Sequence, residues 1–288
     1  MKLSYYPGCS LRGTAHDYDG SVKAVCAELG IELVELADWN CCGASSAHMT
    51  EHELGVRLPL RNLLIAGELG LDVLVPCAAC FQRLKAADKE VRKAPKFWDV
   101  AGYDPTFKIV HISTLLSSPD MIRRLHERAT HSLSGLRIGC YYGCLSLRHP
   151  KITDAVHFEQ PDSLETMMDA IGAEPVRWSH RTECCSGSLT MARPDIAARL
   201  VGDIVGAARR AGAEALVTDC PMCQANVESR QLELPEDEQL PVYYASELLY
   251  AALTGTYRAE QQRVHLVSAT IDVQACREDG RIGREERP

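Results

Sequence analysis

The feature that most constrains the fold of this sequence is a pattern of cysteines that occurs twice. Each copy consists of one isolated cysteine, an adjacent Cys-Cys pair and a C-x-x-C motif. The first copy contains Cys9, Cys41, Cys42, Cys77 and Cys80. The second copy contains Cys144, Cys184, Cys185, Cys220 and Cys223. In both copies 34 residues separate the pair from the C-x-x-C motif, and a repeat of both order and spacing indicates a duplicated fold.

Residues around the cysteines repeat as well. The matching segments are 5–9 and 141–144, 41–43 and 184–187, 71–77 and 214–220, and 111–116 and 244–249. The two copies meet near residues 125–136, a polar stretch that ends close to Gly135. We therefore expect an N-terminal domain at 1–125, a C-terminal domain at 136–254 and a polar tail at 255–288.

Within each copy, short apolar segments alternate with longer segments of helical periodicity. Strands are predicted at 2–6, 31–36, 72–76, 108–112, 136–142, 174–178, 214–219 and 241–245. Helices are predicted at about 16–30, 50–70, 81–93, 162–172, 194–211, 221–231 and 246–253. This alternation predicts an α/β fold of right-handed βαβ units, with a parallel sheet in each of two duplicated domains related by pseudo-two-fold symmetry.

Every cysteine group directly follows a predicted strand. The carboxyl edge of an open parallel sheet is where such folds place ligands, so the three cysteine loops of each copy are expected to converge there. The sequence thus predicts one site of five thiolates in each half. In the tail, residues 264–271 are expected to add an edge strand, and residues 277–288 to be disordered or held by a partner.

Composition narrows the chemistry of these sites. With 31 basic and 39 acidic residues the net charge is −8, and this balance disfavours a nucleic-acid partner. No apolar run approaches the ~18–20 residues of a transmembrane helix, and the N-terminus lacks the apolar region of a signal peptide. We therefore expect a cytoplasmic protein. In that reducing compartment, 13 cysteines in 288 residues indicate metal or redox chemistry rather than structural disulfides.

Five thiolates exceed what one small metal ion needs. Soft thiolate ligands select Zn²⁺, Cu(I) or iron–sulfur clusters, and structural zinc takes four ligands in a tetrahedron. The side chains of adjacent cysteines start out in divergent directions, which suits a larger object with several metal ions. The C-x-x-C-x-x-C-x-x-x-C-P motif of bacterial ferredoxins is absent from the sequence. An unusual cluster is therefore expected rather than a common cubane.

The two motifs resemble the cysteine-rich CCG domain of the B-type subunits of heterodisulfide reductases and their relatives, over about residues 1–253. The resemblance implies that each five-cysteine copy holds one non-cubane 4Fe–4S cluster, in which two smaller iron–sulfur units are fused. It also implies that a small thiol disulfide lies between the two clusters. Each cluster then delivers one electron, so that the disulfide is reductively cleaved or, in reverse, formed.

The resemblance implies partners as well. Relatives with a ferredoxin-like extension carry their own cubane clusters, and this sequence has no such extension. Electrons are therefore expected to come from a small ferredoxin-like subunit with two cubane clusters and from a flavoprotein subunit. The second copy departs from the family pattern, because Cys-Cys-Ser-Gly replaces Cys-Cys-Gly. This displaces by one residue the backbone freedom that glycine gives, and leaves open a different cluster type in that copy.

Three other functions stay open. Related CCG proteins serve as electron-relay subunits of lactate, glycolate, succinate or fumarate oxidoreductases, between a flavoprotein and a quinone or another carrier. A metal-free thiol–disulfide oxidoreductase is a second alternative, because Cys77 and Cys220 each lie between a strand and a helix whose N-terminus lowers a thiol pKa. A structural zinc protein is a third.

Several residues near the cysteines have two interpretations. His48 and His149 follow cysteine motifs and are the predicted catalytic residues, which protonate a leaving thiolate near neutral pH; an ordinary surface or helix-capping role is the alternative. His180, just before the second Cys-Cys pair, has the same two interpretations. Trp39 and Trp178 precede the two pairs and either shield a cluster from water or fill the core.

Three arginines lie near the cysteine loops, where they either bind an anionic substrate or carry solvated charge: Arg12, Arg148 and Arg181. The sequence contains no glycine-rich dinucleotide motif and no P-loop, which disfavours a nucleotide or flavin site in this chain.

Three cysteines fall outside the repeat or its motifs. Cys26 and Cys140 are expected to be buried core thiols, with replacement of Cys144 as a ligand as the alternative for Cys140. Cys276 is expected to be a free thiol in the polar tail, with an intersubunit contact as the alternative.

Overall fold

The computed structural model describes residues 1–257, 264–267 and 274–275. In its first half the strands are β1 (Lys2–Tyr5), β2 (Glu32–Glu35), β3 (Val73–Val75) and β4 (Ile109–His111). The helices of this half are α1 (Gly8–Arg12), α2 (His16–Glu28), α3 (Ala47–Thr50), α4 (His52–Leu69), α5 (Ala78–Lys93), α6 (Ile112–Leu116) and α7 (Pro119–Arg128).

The second half follows a short strand, β5 (His131–Ser132). Its sheet strands are β6 (Arg137–Cys140), β7 (Glu174–Pro175), β8 (Ala215–Thr218) and β9 (Val242–Tyr244). Its helices are α8 (Pro150–Thr153), α9 (Ser163–Ala170), α10 (Pro194–Arg210), α11 (Pro221–Gln231) and α12 (Ala245–Thr254). The last described strand, β10 (Gln274–Ala275), pairs antiparallel with β5.

Both large sheets are parallel and have the same strand order. The order is β2-β1-β3-β4 in the first sheet and β7-β6-β8-β9 in the second, with every pairing within them parallel. The first strand of each half therefore lies between the second and the third. This confirms the predicted α/β fold with two duplicated parallel-sheet units, while the domain bounds 1–125 and 136–254 stay a prediction.

The structure adds elements that the sequence patterns do not reveal. The sequence pattern predicts no helix at α7, because only Met121 and Leu125 of its ten residues are buried; its last four residues overlap the polar junction predicted near 125–136. In the tail, the predicted edge strand at 264–271 is wrong for residues 264–267, which form a turn and bends. Residues 268–271, Cys276 and residues 277–288 lie outside the described part of the chain.

The two halves pack along a seam between α2 and α12. Tyr18 stacks on Tyr244 with ring centroids 4.0 Å apart and planes within 9°, and Ser21 Oγ lies 2.7 Å from Ser246 Oγ. The Tyr18 hydroxyl donates to the carbonyl of Asp219 at the end of β8. All these side chains are buried, so helices of both halves share one core. Among the described residues, no helix is both long and apolar enough to span a bilayer.

A histidine from the tail is inserted between two helices of the second half. His265 Nδ1 lies 2.9 Å from Glu228 on α11, and Nε2 lies 3.4 Å from Glu247 on α12. The imidazole and both carboxylates are buried. Burial alone lowers the pKa of His265, but hydrogen bonds to Glu228 and Glu247 outweigh it and raise the pKa to about 10. Asp17 on α2 also faces this charge, and the rings of Tyr243 and Tyr257 flank it.

We predict that the free energy of unfolding falls between pH 6.5 and pH 10 because of His265. A group whose pKa is raised by folding stabilises fully below its unfolded pKa, about 6.5 for histidine, and this contribution is lost as pH approaches the folded value of about 10. His265→Gln should cost on the order of 2–4 kcal/mol at pH 6 and flatten the dependence. Chemical denaturation at pH 6, 7.5 and 9 measures both effects. His126→Gln, which changes an exposed imidazole on α7, should leave the curve unchanged; an unaltered slope in His265→Gln contradicts the assignment.

Candidate functional site

The five cysteines of the first copy converge at the carboxyl edge of the first sheet. Cys9 lies in α1 directly after β1, and the pair Cys41-Cys42 lies in the loop after β2. Cys77 follows β3 and caps the N-terminus of α5, and Cys80 lies in the first turn of that helix. Because β1 lies between β2 and β3, the loop with Cys9 neighbours both other cysteine loops. The second copy is placed in the same way after β6, β7 and β8.

Each site consists of a buried inner pair and a more exposed outer pair of thiols. In the first copy the inner sulfurs of Cys42 and Cys80 are 3.3 Å apart, and the outer sulfurs of Cys9 and Cys41 are 3.9 Å apart. Cys42 and Cys80 are buried, whereas Cys9 and Cys41 are exposed. The fifth thiol, Cys77, is buried and hydrogen-bonds to Cys80.

The second site reproduces this arrangement. Its inner sulfurs, on Cys185 and Cys223, are 3.5 Å apart, and its outer sulfurs, on Cys144 and Cys184, are 3.8 Å apart. Cys220 hydrogen-bonds to Cys223, as Cys77 does to Cys80. The twelve described cysteines are all free thiols. Within the described residues, no three His, Cys, Asp or Glu side chains are arranged to hold a single metal ion; the sulfurs are grouped in pairs instead.

Two glycines allow the backbone to pass directly beside the inner sulfurs. Gly8 has φ +72°, and a Cβ built there lies 2.8 Å from Cys80 Sγ. Gly143 has φ +63°, and its Cβ lies 2.7 Å from Cys223 Sγ. Both distances are shorter than real contacts of this kind, and both backbone conformations favour glycine. The residue before the first cysteine of each copy therefore has to be glycine for the five thiols to converge.

Backbone amides and neighbouring thiols stabilise negative charge on the sulfurs. The Gly43 amide donates to Cys41 Sγ at 3.4 Å, and the Ser186 amide donates to Cys184 Sγ at 3.2 Å. Hydrogen bonds from Cys41 and then Cys80 lower the pKa of Cys42 to about 3, and the hydrogen bond from Cys144 lowers the pKa of Cys184 to about 6. Each site thus holds thiolate at neutral pH, the form in which cysteine binds metals.

The departure at Cys-Cys-Ser-Gly does not displace the turn, contrary to the expectation from sequence. Ser186 adopts φ +58°, where the first copy has Gly43 at φ +75°. Its amide donates to the preceding outer thiolate in the same way. The second copy therefore keeps the loop geometry of the first, although this places a serine in the left-handed backbone region that non-glycine residues seldom adopt.

A duplicated tyrosine fixes the loop of each Cys-Cys pair. The Tyr6 hydroxyl donates at 2.8 Å to the carbonyl of Asn40, the residue before the first pair. The Tyr141 hydroxyl donates at 2.8 Å to the carbonyl of Glu183, the residue before the second pair. Both rings are fully buried. The repeated segments of the sequence both contain these tyrosines, but their hydrogen bonds to the Cys-Cys loops could be found only in the structure.

The predicted histidines lie around the sites at different depths. His48 is half-buried, and its Nδ1 is 3.3 Å from the Gly43 carbonyl. His149 is exposed and occupies the N-cap position of α8. His180 is exposed, with Nδ1 2.9 Å from Ser179 Oγ. The catalytic roles of His48 and His149 stay a prediction.

The tryptophans and arginines are held by local contacts. Trp39 packs edge-on against Tyr6 and donates to Glu35 at 3.1 Å, and Trp178 lies 6.2 Å from Tyr141. Arg12 pairs with the same Glu35.

Arg181 pairs with Glu165 at 2.6 Å, whereas the charge of Arg148 lowers the pKa of Cys184. The charge of Arg148 therefore acts on one of the ten repeated cysteines. Cys26 and Cys140 are fully buried in the core, as predicted for structural thiols.

The fold and the paired thiol sites define a tandem cysteine-rich α/β protein with two soft-ligand centres. The sequence model of the family described as "CCG: Cysteine-rich domain" matches residues 3–85 and 138–228. The chain therefore belongs to the CCG cysteine-rich domain family, with two copies of the domain. This confirms the resemblance inferred from the motifs.

Several curated proteins are similar to the chain over most of their length. The 8-methylmenaquinol:fumarate reductase membrane anchor subunit of Wolinella succinogenes is 29% identical, covering 88% of this chain and 92% of that protein. The B-type subunit of a ferredoxin/F420H2-dependent CoB-CoM heterodisulfide reductase of Methanosarcina acetivorans is 24% identical, covering 88% and 89%. A protein of Archaeoglobus profundus that is described as similar to this type of heterodisulfide reductase subunit is 23% identical, covering 83% and 85%. These relatives support an oxidoreductase role with iron–sulfur chemistry.

A solved structure shares the fold. The crystal structure of a hypothetical protein from Helicobacter pylori superposes with a TM-score of 0.68 and 10% sequence identity. The match covers 93% of this chain and 52% of that one, so this chain spans about half of its length.

We predict that Gly8→Ala and Gly143→Ala each impair metal binding in their own half. The added Cβ displaces the inner sulfur, so each variant should lose roughly half of the iron bound after anaerobic reconstitution with iron and sulfide. Gly70→Ala is the matched control, because Gly70 also has a positive φ, +61°, but has no atom within 4 Å of the added Cβ. Iron analysis per chain measures the effect. Equal losses in Gly70→Ala would attribute it to backbone strain instead.

Proposed function

We propose that the chain is the catalytic iron–sulfur subunit of a heterodisulfide reductase-like complex, in which a small thiol disulfide is cleaved or formed. The observation that carries this proposal is the duplicated site, with an inner and an outer thiol pair at equivalent positions in both halves. Two equivalent soft-ligand centres in one chain suit a reaction that needs two electrons at one bond.

The donor set fits iron–sulfur clusters. We assign one non-cubane 4Fe–4S cluster to Cys9, Cys41, Cys42, Cys77 and Cys80, and a second to Cys144, Cys184, Cys185, Cys220 and Cys223. Five soft thiols, partly ionised and arranged in separate pairs, suit a multi-metal object better than one tetrahedral ion. When bound, the two clusters would supply one electron each to the disulfide.

The residues of the chain provide the environment for this chemistry. The inner thiols and Cys77 and Cys220 are buried, so the protein excludes water from that side of each site. The outer thiols of Cys9, Cys41 and Cys184 are exposed, so an incoming substrate reaches each site from the outer pair. His48, which lies beside the Gly43 carbonyl, and His149 remain proposed proton donors for a departing thiolate.

Electrons have to enter from partner proteins. The heterodisulfide reductase relatives are named as subunits, and we infer a small ferredoxin-like partner with two cubane clusters and a flavoprotein partner for this chain. We also infer a cytoplasmic location, because twelve free thiols persist best in a reducing compartment.

A second candidate function is an electron relay in a fumarate or succinate system. It is favoured by the relative from Wolinella succinogenes, whose name describes a subunit of a menaquinol:fumarate reductase. The two functions differ in their small-molecule partner. Reduced, cluster-loaded protein mixed with hydroxyethyl disulfide or with menadione distinguishes them: rapid oxidation by the disulfide alone supports the reductase, and rapid oxidation by the quinone alone supports the relay.

We predict about four irons and four sulfides per site in anaerobically purified or reconstituted protein. Cys42→Ser and Cys185→Ser should each remove roughly half of the iron and leave the spectrum of the other site intact, because each removes one inner ligand. Cys26→Ser is the control, since this thiol is also buried but lies near the C-terminal end of α2, where its carbonyl accepts from the Ile31 amide just before β2. Iron and sulfide analysis with electron paramagnetic resonance measures loading. An iron content well below four per site in fully loaded wild-type protein would overturn paired clusters.

A further inference from the structure

In the second half, the helix that begins at the C-x-x-C motif directs a side chain at the buried cysteine of the Cys-Cys pair. This residue is Asn226 on α11, three residues after Cys223. Its side-chain amide donates to the carbonyl of Cys185 and also hydrogen-bonds to the Cys185 thiol. Residues three apart on a helix lie on one face, so Asn226 and Cys223 both reach the same inner thiol.

The equivalent residue of the first half is an arginine. Arg83 follows Cys80 by three residues on α5, and the spacing from the Cys-Cys pair through the C-x-x-C motif is the same in both halves. The inner sulfurs of Cys80 and Cys42 are 3.3 Å apart. Burial lowers the pKa of Arg83, and the negative charge of Cys42 opposes that effect. Arg83 therefore faces the inner thiol of its own site, as Asn226 does in the other.

The charge of Arg83 is balanced by no carboxylate in the described part of the chain. The side chain is half-buried, and its Nε donates at 2.6 Å to the neutral amide of Gln82. Among the described residues, Cys42 is the charged group that acts on the guanidinium. Arginine stays protonated in proteins, and removing a cation from water is costly unless an anion lies close by. The first site is thus built with a cation beside its thiolates.

Other basic residues near the first site are paired with carboxylates. Arg12 pairs with Glu35. Lys85 and Lys89, which lie on another face of α5, both pair with Asp154.

In the second site the basic residues are opposed by acidic ones. The charge of Arg148 lowers the pKa of Cys184, and that of Glu183 raises it. Arg148 is also exposed, so dissolved salt screens its charge. Arg230, further along α11, pairs with Glu233. Within the described residues, the first half therefore has an inner cation that the second half lacks.

The fold does not need a charge at this position, because Asn226 fills it with a neutral amide. A positive charge beside a thiolate ligand favours the reduced, more negative form of an iron–sulfur cluster and so raises its reduction potential. The effect is larger at a half-buried position than at the surface, because less water screens the interaction.

We propose that Arg83 makes the first site the electron-receiving site of the chain, because its charge beside Cys42 raises the reduction potential of a cluster held there above that of the second site. Arg83 acts through a ligand and is a positioning residue for charge, not a catalytic one. This inference rests on the pair of iron–sulfur clusters in the proposed function.

The electron step balances without a proton. The reduced ferredoxin-like donor of the proposed function is oxidised by one electron and the first site is reduced by one, while no covalent bond forms or breaks. A further one-electron transfer reduces the second site, which has the lower potential. With both sites reduced, the second is the stronger reductant, so the two halves differ in the order in which they take up and release electrons.

The test measures reduction potentials in cluster-loaded full-length protein, one site at a time. In a Cys185→Ser background, which leaves the first site loaded, Arg83→Gln should shift the reduction equilibrium about tenfold toward the oxidised form, equivalent to a midpoint potential lower by about 59 mV for one electron. Arg83→Lys keeps the charge and should retain most of the potential. Redox titration followed by electron paramagnetic resonance gives the potentials, and iron and sulfide contents should be unchanged in both variants.

Two controls accompany these variants. Lys93→Gln removes an exposed charge from the far end of α5, about 20 Å along the helix from Cys80 at ~1.5 Å per residue, and should leave the potential unchanged. In a Cys42→Ser background, which leaves the second site loaded, Arg83→Gln should also have no effect. The protein with the second site alone should have a lower potential than the protein with the first site alone.

Several results would overturn the assignment. One is an unchanged potential in fully loaded Arg83→Gln protein. Equal shifts in Arg83→Gln and Arg83→Lys, or a loss of iron in both, would attribute the residue to packing rather than charge. A higher potential in the second site than in the first would overturn the order of reduction.

The outcomes also separate this assignment from the function beneath it. Protein that binds no iron in either half overturns the proposed clusters and the assignment with them. Loaded protein that shows the shift in Arg83→Gln but is not oxidised by hydroxyethyl disulfide overturns the reductase function and leaves the role of Arg83 in place.

Discussion

The close approach of backbone to sulfur at Gly8 and Gly143 is the constraint on which each half depends. Three loops from adjacent parallel strands have to converge within a few ångströms, and strands spaced by ~4.8 Å leave little room for a side chain between them. The strand order places the first cysteine loop between the other two. Its glycine then brings the main chain against the inner thiol, and the buried tyrosine before it fixes the loop of the Cys-Cys pair. The hydrophobic core beneath the sheet holds the strands that carry these loops.

The separation into inner and outer thiols follows from the same geometry. The inner sulfurs belong to the first turn of a helix that packs on the sheet and to the second cysteine of the pair, so both are buried. The outer sulfurs belong to the first cysteine of the pair and to the loop or short helix after the first strand, which lie at the rim. One face of each site is thus closed by protein, and the other is open to a substrate or a partner.

The sequence predicts the architecture well, because its signals are local. Short apolar runs identify all eight sheet strands, and the repeat of spacing places the ten cysteines at two edges of equivalent topology. The sequence does not predict the positive φ of Ser186, because serine seldom adopts that conformation. It does not predict α7 either, because only two residues of that helix are buried. The contacts of His265 and His111 could not be predicted either. Both histidines lie beside carboxylates distant in sequence, Glu228 and Glu247 for one and Asp219 for the other.

If the proposed function holds, a duplicated protein that cleaves one disulfide has a reason for its halves to differ. Symmetric halves would present identical surfaces to both sulfurs of a substrate, and the two thiols that leave need separate space and separate protons. The halves differ in the cavities beside them: one of about 550 Å³ lies beside Phe81 and Ser146, and one of about 230 Å³ lies beside Ser10 and Met222. They also differ in sequence, since His111 and Asp219 stand where the repeat has Tyr244 and Pro76. The sulfur sites themselves differ by only a few tenths of an ångström in their thiol pairs. The cysteine-bearing edges of the two halves are therefore alike, and the halves differ in the protein around those edges.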